Sequence, residues 1–138
     1  MRYWLLKSEP YKYSWEDLEK DQSTFWDGVR NFQARNNLKA MKKGDYALFY
    51  HSNEGKEIVG IAQISKEAYP DPTTDDANWV VVDVVPACKL QKPVGLELIR
   101  KHPKLQNMAL LRQSRLSVCP VSKDEFDTIC ELGGVDLQ

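Results

Sequence analysis

The sequence is poor in the residues that build metal and cofactor sites. It has two histidines, His51 and His102, far apart, and three cysteines, Cys88, Cys119 and Cys130, with no CxxC pair. Neither set offers zinc-ligand spacing, so no metal and no cofactor is expected. An odd cysteine count without such pairs reads as free, mostly buried thiols in a reducing compartment, and a cytoplasmic location follows as the expectation. Long apolar runs are missing too. Val80-Val81-Val82 is far too short to span a bilayer, and Met1–Lys7 lacks the apolar core and cleavage site of a signal peptide. The seven glycines are scattered, so no glycine-rich phosphate loop is present. There is no GxSxG elbow. Cys119-Pro120 lacks the second cysteine of a zinc deaminase signature. Ser8 or Ser52 with His51 and Glu9 or Asp27 makes a triad only on paper, because a nucleophile needs an adjacent base held by a third group. These absences favour a binding module over an enzyme.

Charge of one sign is also lacking overall. The net charge is −1, whereas a protein that tracks a long duplex is usually strongly basic. The distribution is uneven, however. Between Gly28 and Gly44 stand Arg30, Arg35, Lys39, Lys42 and Lys43 without an acid, and between Lys89 and Arg115 seven Lys or Arg face Glu97 alone. Brought together, the two segments would make a local positive patch suited to a short nucleic-acid footprint. Taken singly, each reads equally well as a solvated face.

The 138 residues suit one domain, taken as residues 1–138, with one core. Hydrophobic residues make up 42% and charged residues 28%, an ordinary globular balance. Strands are predicted at Tyr3–Ser8, Asp45–His51, Ile58–Ser65, Trp79–Pro86 (extending toward Leu90) and Leu116–Cys119. Gly44-Asp45 reads as a turn, and Asn53–Lys56 as a hairpin loop. The stretch Tyr69–Asp76, with two prolines and three acids, reads as the loop between two strands. Helices are predicted at Trp15–Lys20, capped by Ser14 with Asp17 in the reciprocal position, and at Phe32–Lys42, capped by Asn31. Ala34, Leu38 and Met41 make the buried stripe of the second. A third runs from Gly95 to Lys101 and stops before Pro103. A fourth covers Lys123–Leu132, with a Ser122/Glu125 capping box and Gly133 at its end. Short strands joined by hairpins and interrupted by short helices give an α+β fold on a curled mixed sheet or barrel of about five to six strands.

The most informative stretch is Trp26-Asp27-Gly28-Val29-Arg30-Asn31-Phe32-Gln33-Ala34-Arg35-Asn36. Trp26 precedes a turn dipeptide and so stands at a loop apex or its shoulder. There an indole can offer a face to a base, a contact worth about 1–3 kcal/mol; the competing reading is a half-buried core aromatic. Asp27 is either a turn former or an acceptor for an exocyclic amine such as cytosine N4. Arg30 and Arg35 suit surface ion pairs or phosphate contacts, with Lys39 a further phosphate candidate. Asn31 and Asn36 suit base edges or helix caps. Lys7-Ser8-Glu9 close the first strand and Tyr50-His51-Ser52 the second, and ligands often sit at strand ends of curled sheets. His51 reads as a proton donor to a ligand or as an exposed loop histidine, the second being favoured.

Trp4-Leu5-Leu6-Lys7-Ser8-Glu9-Pro10, the Trp26–Asn31 run and Ala34-Arg35-Asn36 resemble the EVE-domain family. So do Gly44-Asp45, Phe49-Tyr50-His51-Ser52, Gly60 and Arg115–Val121, in the same order. The chain is similar to the small stand-alone bacterial members. The resemblance implies a PUA-like fold and kinship with YTH domains, which hold a methylated adenine in an aromatic cage. It implies Trp26 as a cage wall, with Lys7, Ser8 and Glu9 lining the pocket. Asp27, Gly28 and Val29 would form its turn, and Phe49–Ser52 another side. It also implies a partner: nucleic acid carrying a modified base, in the first place a 5-substituted cytosine in DNA. An RNA-binding module is the alternative, and an enzyme on modified nucleotides a third reading. The oligomeric state is left open by the sequence.

Overall fold

The computed structural model describes residues 1–137. Six strands form one mixed sheet: β1 (Tyr3–Ser8), β2 (Thr24–Phe25), β3 (Tyr46–His51), β4 (Glu57–Pro70), β5 (Val80–Gly95) and β6 (Val118–Val121), in the order β2-β5-β4-β3-β1-β6. All pairs are antiparallel except β1 with β3. That parallel pair needs a long crossover, which α1 (Trp15–Asp21), β2 and α2 (Phe32–Ala40) supply. As a central strand β1 is covered on both faces, so Trp4, Leu5 and Leu6 are all fully buried. The β4–β5 ribbon shifts register at four places between Ile58 and Tyr69. Such bulges bend the ribbon and raise its twist. The sheet therefore curls but stays open, with β2 and β6 as its edges among the described residues. This is the curled mixed α+β sheet expected from the sequence, without closure into a barrel.

The helices follow their caps. Ser14 and Asp17 form a reciprocal capping box at the start of α1. Asn31 Oδ1 accepts from Ala34 N at 2.9 Å at the start of α2, and Ala34, Leu38 and Met41 are fully buried. After β5 come α3 (Leu96–Lys101), a 3₁₀ turn at Pro103–Leu105, α4 (Ala109–Arg112) and α5 (Lys123–Gly133). The last opens on the Ser122/Glu125 box.

Several boundaries differ from the sequence expectation. The last helix ends on Gly134, in the left-handed region at φ 72°, one residue later than expected. Gly133 is instead a close-packing position, where a Cβ would stand 2.9 Å from Leu90 Cδ1. Tyr69 and Pro70 belong to β4, paired with Val81 and Val80. Beyond Gln63, β4 has lost β3 as a neighbour, and a proline on an edge costs no ladder bond. β6 begins two residues later than expected because its register is set by β1, Tyr3 opposite Val121 and Leu6 opposite Val118. β2, α4 and the 3₁₀ turn were not foreseen.

Two packing features fix the sheet beneath the site. Asp45, 3% exposed, accepts from Trp4 Nε1 at 3.1 Å, Lys42 N at 3.0 Å and Arg2 N at 3.2 Å. Three N–H donors replace the water a buried carboxylate would otherwise need. Gly60 lies under the Trp15 indole, so a Cβ there would fall 2.6 Å from Cδ2 and Cε2.

Candidate functional site

The ends of β1 and β3 lie side by side, Ser8 opposite His51, and Ser52 N donates to Ser8 O at 2.9 Å. Ser8 Oγ donates to Tyr13 O and so pins the turn that leads into α1. His51 Nε2 accepts from Trp15 N at 3.1 Å. That bond satisfies one of the four N–H groups that every helix start leaves without an intrahelical partner. Burial holds the His51 pKa below its ordinary value, with Glu16 and Glu57 opposing. At neutral pH it is therefore an uncharged acceptor that caps α1.

β2 then brings the chain against β5, Thr24 opposite Val84 and Phe25 opposite Asp83. Trp26 N continues the pairing by donating to Val82 O at 2.8 Å. This carries Trp26 below the loop apex where the sequence placed it, leaving it 8% exposed. Its ring meets Phe49 edge to face at 5.5 Å and 85°, and Tyr13 at 6.3 Å and 86°. Perpendicular aromatic pairs at these spacings are attractive and hold the rings in place. Gly28, at φ 75°, then turns the chain away.

Trp26 lines a cleft of about 440 Å³. Lys7, Ser8, Glu9, Asp27 and Gly28 line it too, so six of the residues singled out from the sequence meet there. Lys12, Tyr13, Thr24 and Phe25 also line it and were missed. Thr24 and Phe25 adjoin Trp26 in sequence, but only the pairing with β5 aims them here. Phe25 is 41% exposed. Burial, opposed by a bond to Thr24 and reinforced by Asp21, pushes the Tyr13 hydroxyl up to about 12, so it stays neutral. Glu9 is held below the usual carboxylate range by the Tyr11 hydroxyl, against burial and with the help of Lys12. Its Oε2 is closed off from solvent, 3.5 Å from Lys12 Nζ, and accepts no hydrogen bond. The rim thus carries two ammonium and two carboxylate groups around an aromatic interior.

Other residues singled out from the sequence stand elsewhere. Tyr50 and Ser52 line a neighbouring cleft that shares only Lys7 with the first. Val29 is in the core. Arg30 Nη1 donates to Val29 O and to Asp71 Oδ2, both at 3.0 Å. Arg35 donates to Asn36 Oδ1 through Nε and Nη2 and to Asn78 O through Nη1, and lies over the Phe32 ring. Lys39 is exposed on α2 and lines neither cleft. Asn31 caps α2. The two basic segments do touch: Gln33 Nε2 donates to Gln113 Oε1 at 2.9 Å, and Asn31, Arg112 and Arg115 share a shallow hollow. Among the described residues no cluster of His, Cys, Asp and Glu could hold a metal ion. Among the described residues no helix is long and apolar enough to cross a membrane.

Comparison with known proteins adds a family. The model of the EVE domain matches residues 2–132. Thymocyte nuclear protein 1 of Gallus gallus is 41% identical, the match covering 94% of this chain and 68% of that protein. Among solved structures, an Agrobacterium tumefaciens protein superposes with a TM-score of 0.95 at 45% identity, covering 98% of this chain and 94% of the other. Human THYN1 protein, solved in complex with DNA containing 5-methylcytosine, gives 0.91 at 36% identity, covering 99% and 100%. The YTH domain of Zygosaccharomyces rouxii MRB1 gives 0.63 at 16% identity, covering 99% and 88%, a likeness of fold alone.

Proposed function

The chain belongs to the EVE-domain family, and from that premise we propose that it is a non-catalytic reader that takes one modified pyrimidine of a nucleic acid, a 5-substituted cytosine in DNA, into the aromatic cleft. The observation that carries the reading is the clamped Trp26 indole beside a cleft of about 440 Å³, inside the range of about 300–1,000 Å³ usual for ligand pockets. A ring held by two others pays little entropy when a planar guest stacks on it. Glu9 and Asp27 supply acceptors for the cytosine amine. Lys7 and Lys12 supply donors for the ring carbonyl or an adjoining phosphate. The DNA complex of the human relative, 36% identical, supports the choice of guest.

No nucleophile–base pair stands in the cleft: Ser8 Oγ is committed to Tyr13 O and His51 Nε2 to Trp15 N. These commitments support the non-catalytic reading. We take residues 1–138 as one unit, since buried residues from Trp4 to Cys130 form one core. A cytoplasmic location rests on the three unpaired cysteines.

The test is binding of single-stranded oligonucleotides that differ only in one cytosine, unmodified, 5-methyl or 5-hydroxymethyl. Wild type should prefer a modified form, and Glu9→Ala should weaken binding by about 1–3 kcal/mol if the carboxylate meets the amine. Equal affinity for all three strands would remove the reading. Tighter binding of the matched RNA, dependent on the 2′-hydroxyl, would move it to RNA.

A further inference from the structure

Beside the aromatic cleft lies a second one of about 450 Å³, between the ends of β1 and β3 on one side and α3 and α4 on the other. Its floor includes Tyr50, Leu96 and Leu110, and its rim carries Lys7, Lys56, Arg100 and Arg112 with no carboxylate among the lining residues. Four cations around an acid-free hollow make a strong local field on a protein whose net charge is only −1. Two of them are held in place. Arg112 donates through Nε to Gln106 O at 3.0 Å and through Nη2 to Asn107 Oδ1 at 3.3 Å. Lys7 Nζ donates to Ser114 O at 2.9 Å. Arg100 meets Glu97 at 2.6 Å, but both side chains are more than half exposed, and such a pair yields readily to a better anion. Lys7 lines both clefts, so whatever fills one lies next to whatever fills the other.

We infer that this basic cleft seats the phosphodiester and the nucleoside adjoining the captured base, with Lys56 and Arg100 as its phosphate contacts. The inference rests on the base-capture reading and moves the phosphate grip away from α2. Arg30 and Arg35 are tied to Asp71 and Asn78, and Lys39 lines neither cleft. The apolar floor suits a sugar and base edge, and the rim suits the charge between them.

The test compares wild type, the double variant Lys56→Gln/Arg100→Gln and the control Lys39→Gln/Lys42→Gln. The probes are a single-stranded DNA with one 5-methylcytosine and the free nucleosides 5-methyldeoxycytidine and deoxycytidine. On single strands each phosphate contact contributes about 0.7 to the slope of log K against log salt. The Lys56/Arg100 variant should therefore lose about 1.4 from that slope, so that between 50 and 200 mM salt wild type loses about sevenfold more affinity than the variant. The control should keep the wild-type slope, and all three proteins should bind 5-methyldeoxycytidine alike. A Lys56/Arg100 variant with wild-type slope and oligonucleotide affinity, a control that drops as far, or a wild type that fails to bind the strand would each overturn the inference. Failure of the base-capture reading shows separately, as a wild type that does not prefer methylated over unmodified nucleoside. A slope loss confined to the Lys56/Arg100 variant would still support the cleft.

Discussion

Gly60→Ala is the sharpest probe of how the fold holds the site. The added methyl would fall 2.6 Å from Trp15 Cδ2 and Cε2 and 2.7 Å from Cε3, well inside carbon–carbon contact. Neither partner can easily give way. Gly60 is paired on both sides, with Phe49 and with Lys89. Trp15 is 1% exposed and meets Phe49 edge to face at 5.5 Å. Phe49 in turn meets Trp26 edge to face at 5.5 Å. Overpacking of this kind costs about 1–3 kcal/mol. For a chain of this length that corresponds to a fall of very roughly 3–12 °C in the melting temperature. The displacement passes from Trp15 through Phe49 to Trp26, so near-ultraviolet circular dichroism should change as well. Urea unfolding gives the energy, and a cycle with Trp15→Leu isolates the clash, because the alanine should cost much less once the indole is gone. An alanine variant as stable as wild type, or a cost unchanged in the Trp15→Leu background, would refute the packing argument.

Two further perturbations test the frame around the cleft. Asp45→Ala leaves the buried Trp4 Nε1 and the part-buried Lys42 N and Arg2 N without their acceptor; an unpaired buried donor costs about 1–3 kcal/mol, so urea unfolding should show a loss of at least about 1 kcal/mol, and a smaller change would show that Asp45 is no anchor. His51 is depressed by burial from its ordinary 6.5, so the unfolded chain takes up its proton first. Its contribution to stability should be complete above about pH 6.5 and lost as pH falls through the lowered folded value. The urea midpoint should decline over that range in wild type and more shallowly in His51→Gln, and parallel profiles would exclude a His51 contribution.

Local chemistry was legible in the sequence wherever a side chain acts on its own neighbours. Ser14 with Asp17, Asn31 with Ala34, and Ser122 with Glu125 all cap the helices expected of them, and β1 runs over the residues that its aromatic and aliphatic run suggested. The local elements α4 and the 3₁₀ turn escaped, but most of what escaped at the site was set by partners distant along the chain. β2 is two residues long and exists through its pairing with β5; nothing in Thr24-Phe25 alone announces it. That same pairing draws Trp26 down onto Phe49, which a turn dipeptide after it could not reveal. The aromatic cleft was half legible, because Lys7–Glu9 and Trp26–Gly28 are contiguous runs. Tyr13 reaches it through the turn pinned by Ser8. The basic cleft was not legible, since Lys56, Arg100 and Arg112 come from three segments that only the folded sheet brings to one rim.

The most direct measurement is a titration of the ¹⁵N-labelled protein with 5-methyldeoxycytidine monophosphate, following the backbone amides and the four tryptophan indole signals. Trp26→Phe identifies the Trp26 indole while keeping an aromatic ring against Phe49; truncation to alanine would cost about 3–5 kcal/mol at so buried a position and confuse folding with binding. Base capture predicts saturable shifts at the Trp26 indole and at the amides of Lys7–Glu9, Tyr13 and Thr24–Gly28, larger than with the unmethylated nucleotide. Shifts that spare those residues, or the same response to both nucleotides, would contradict it.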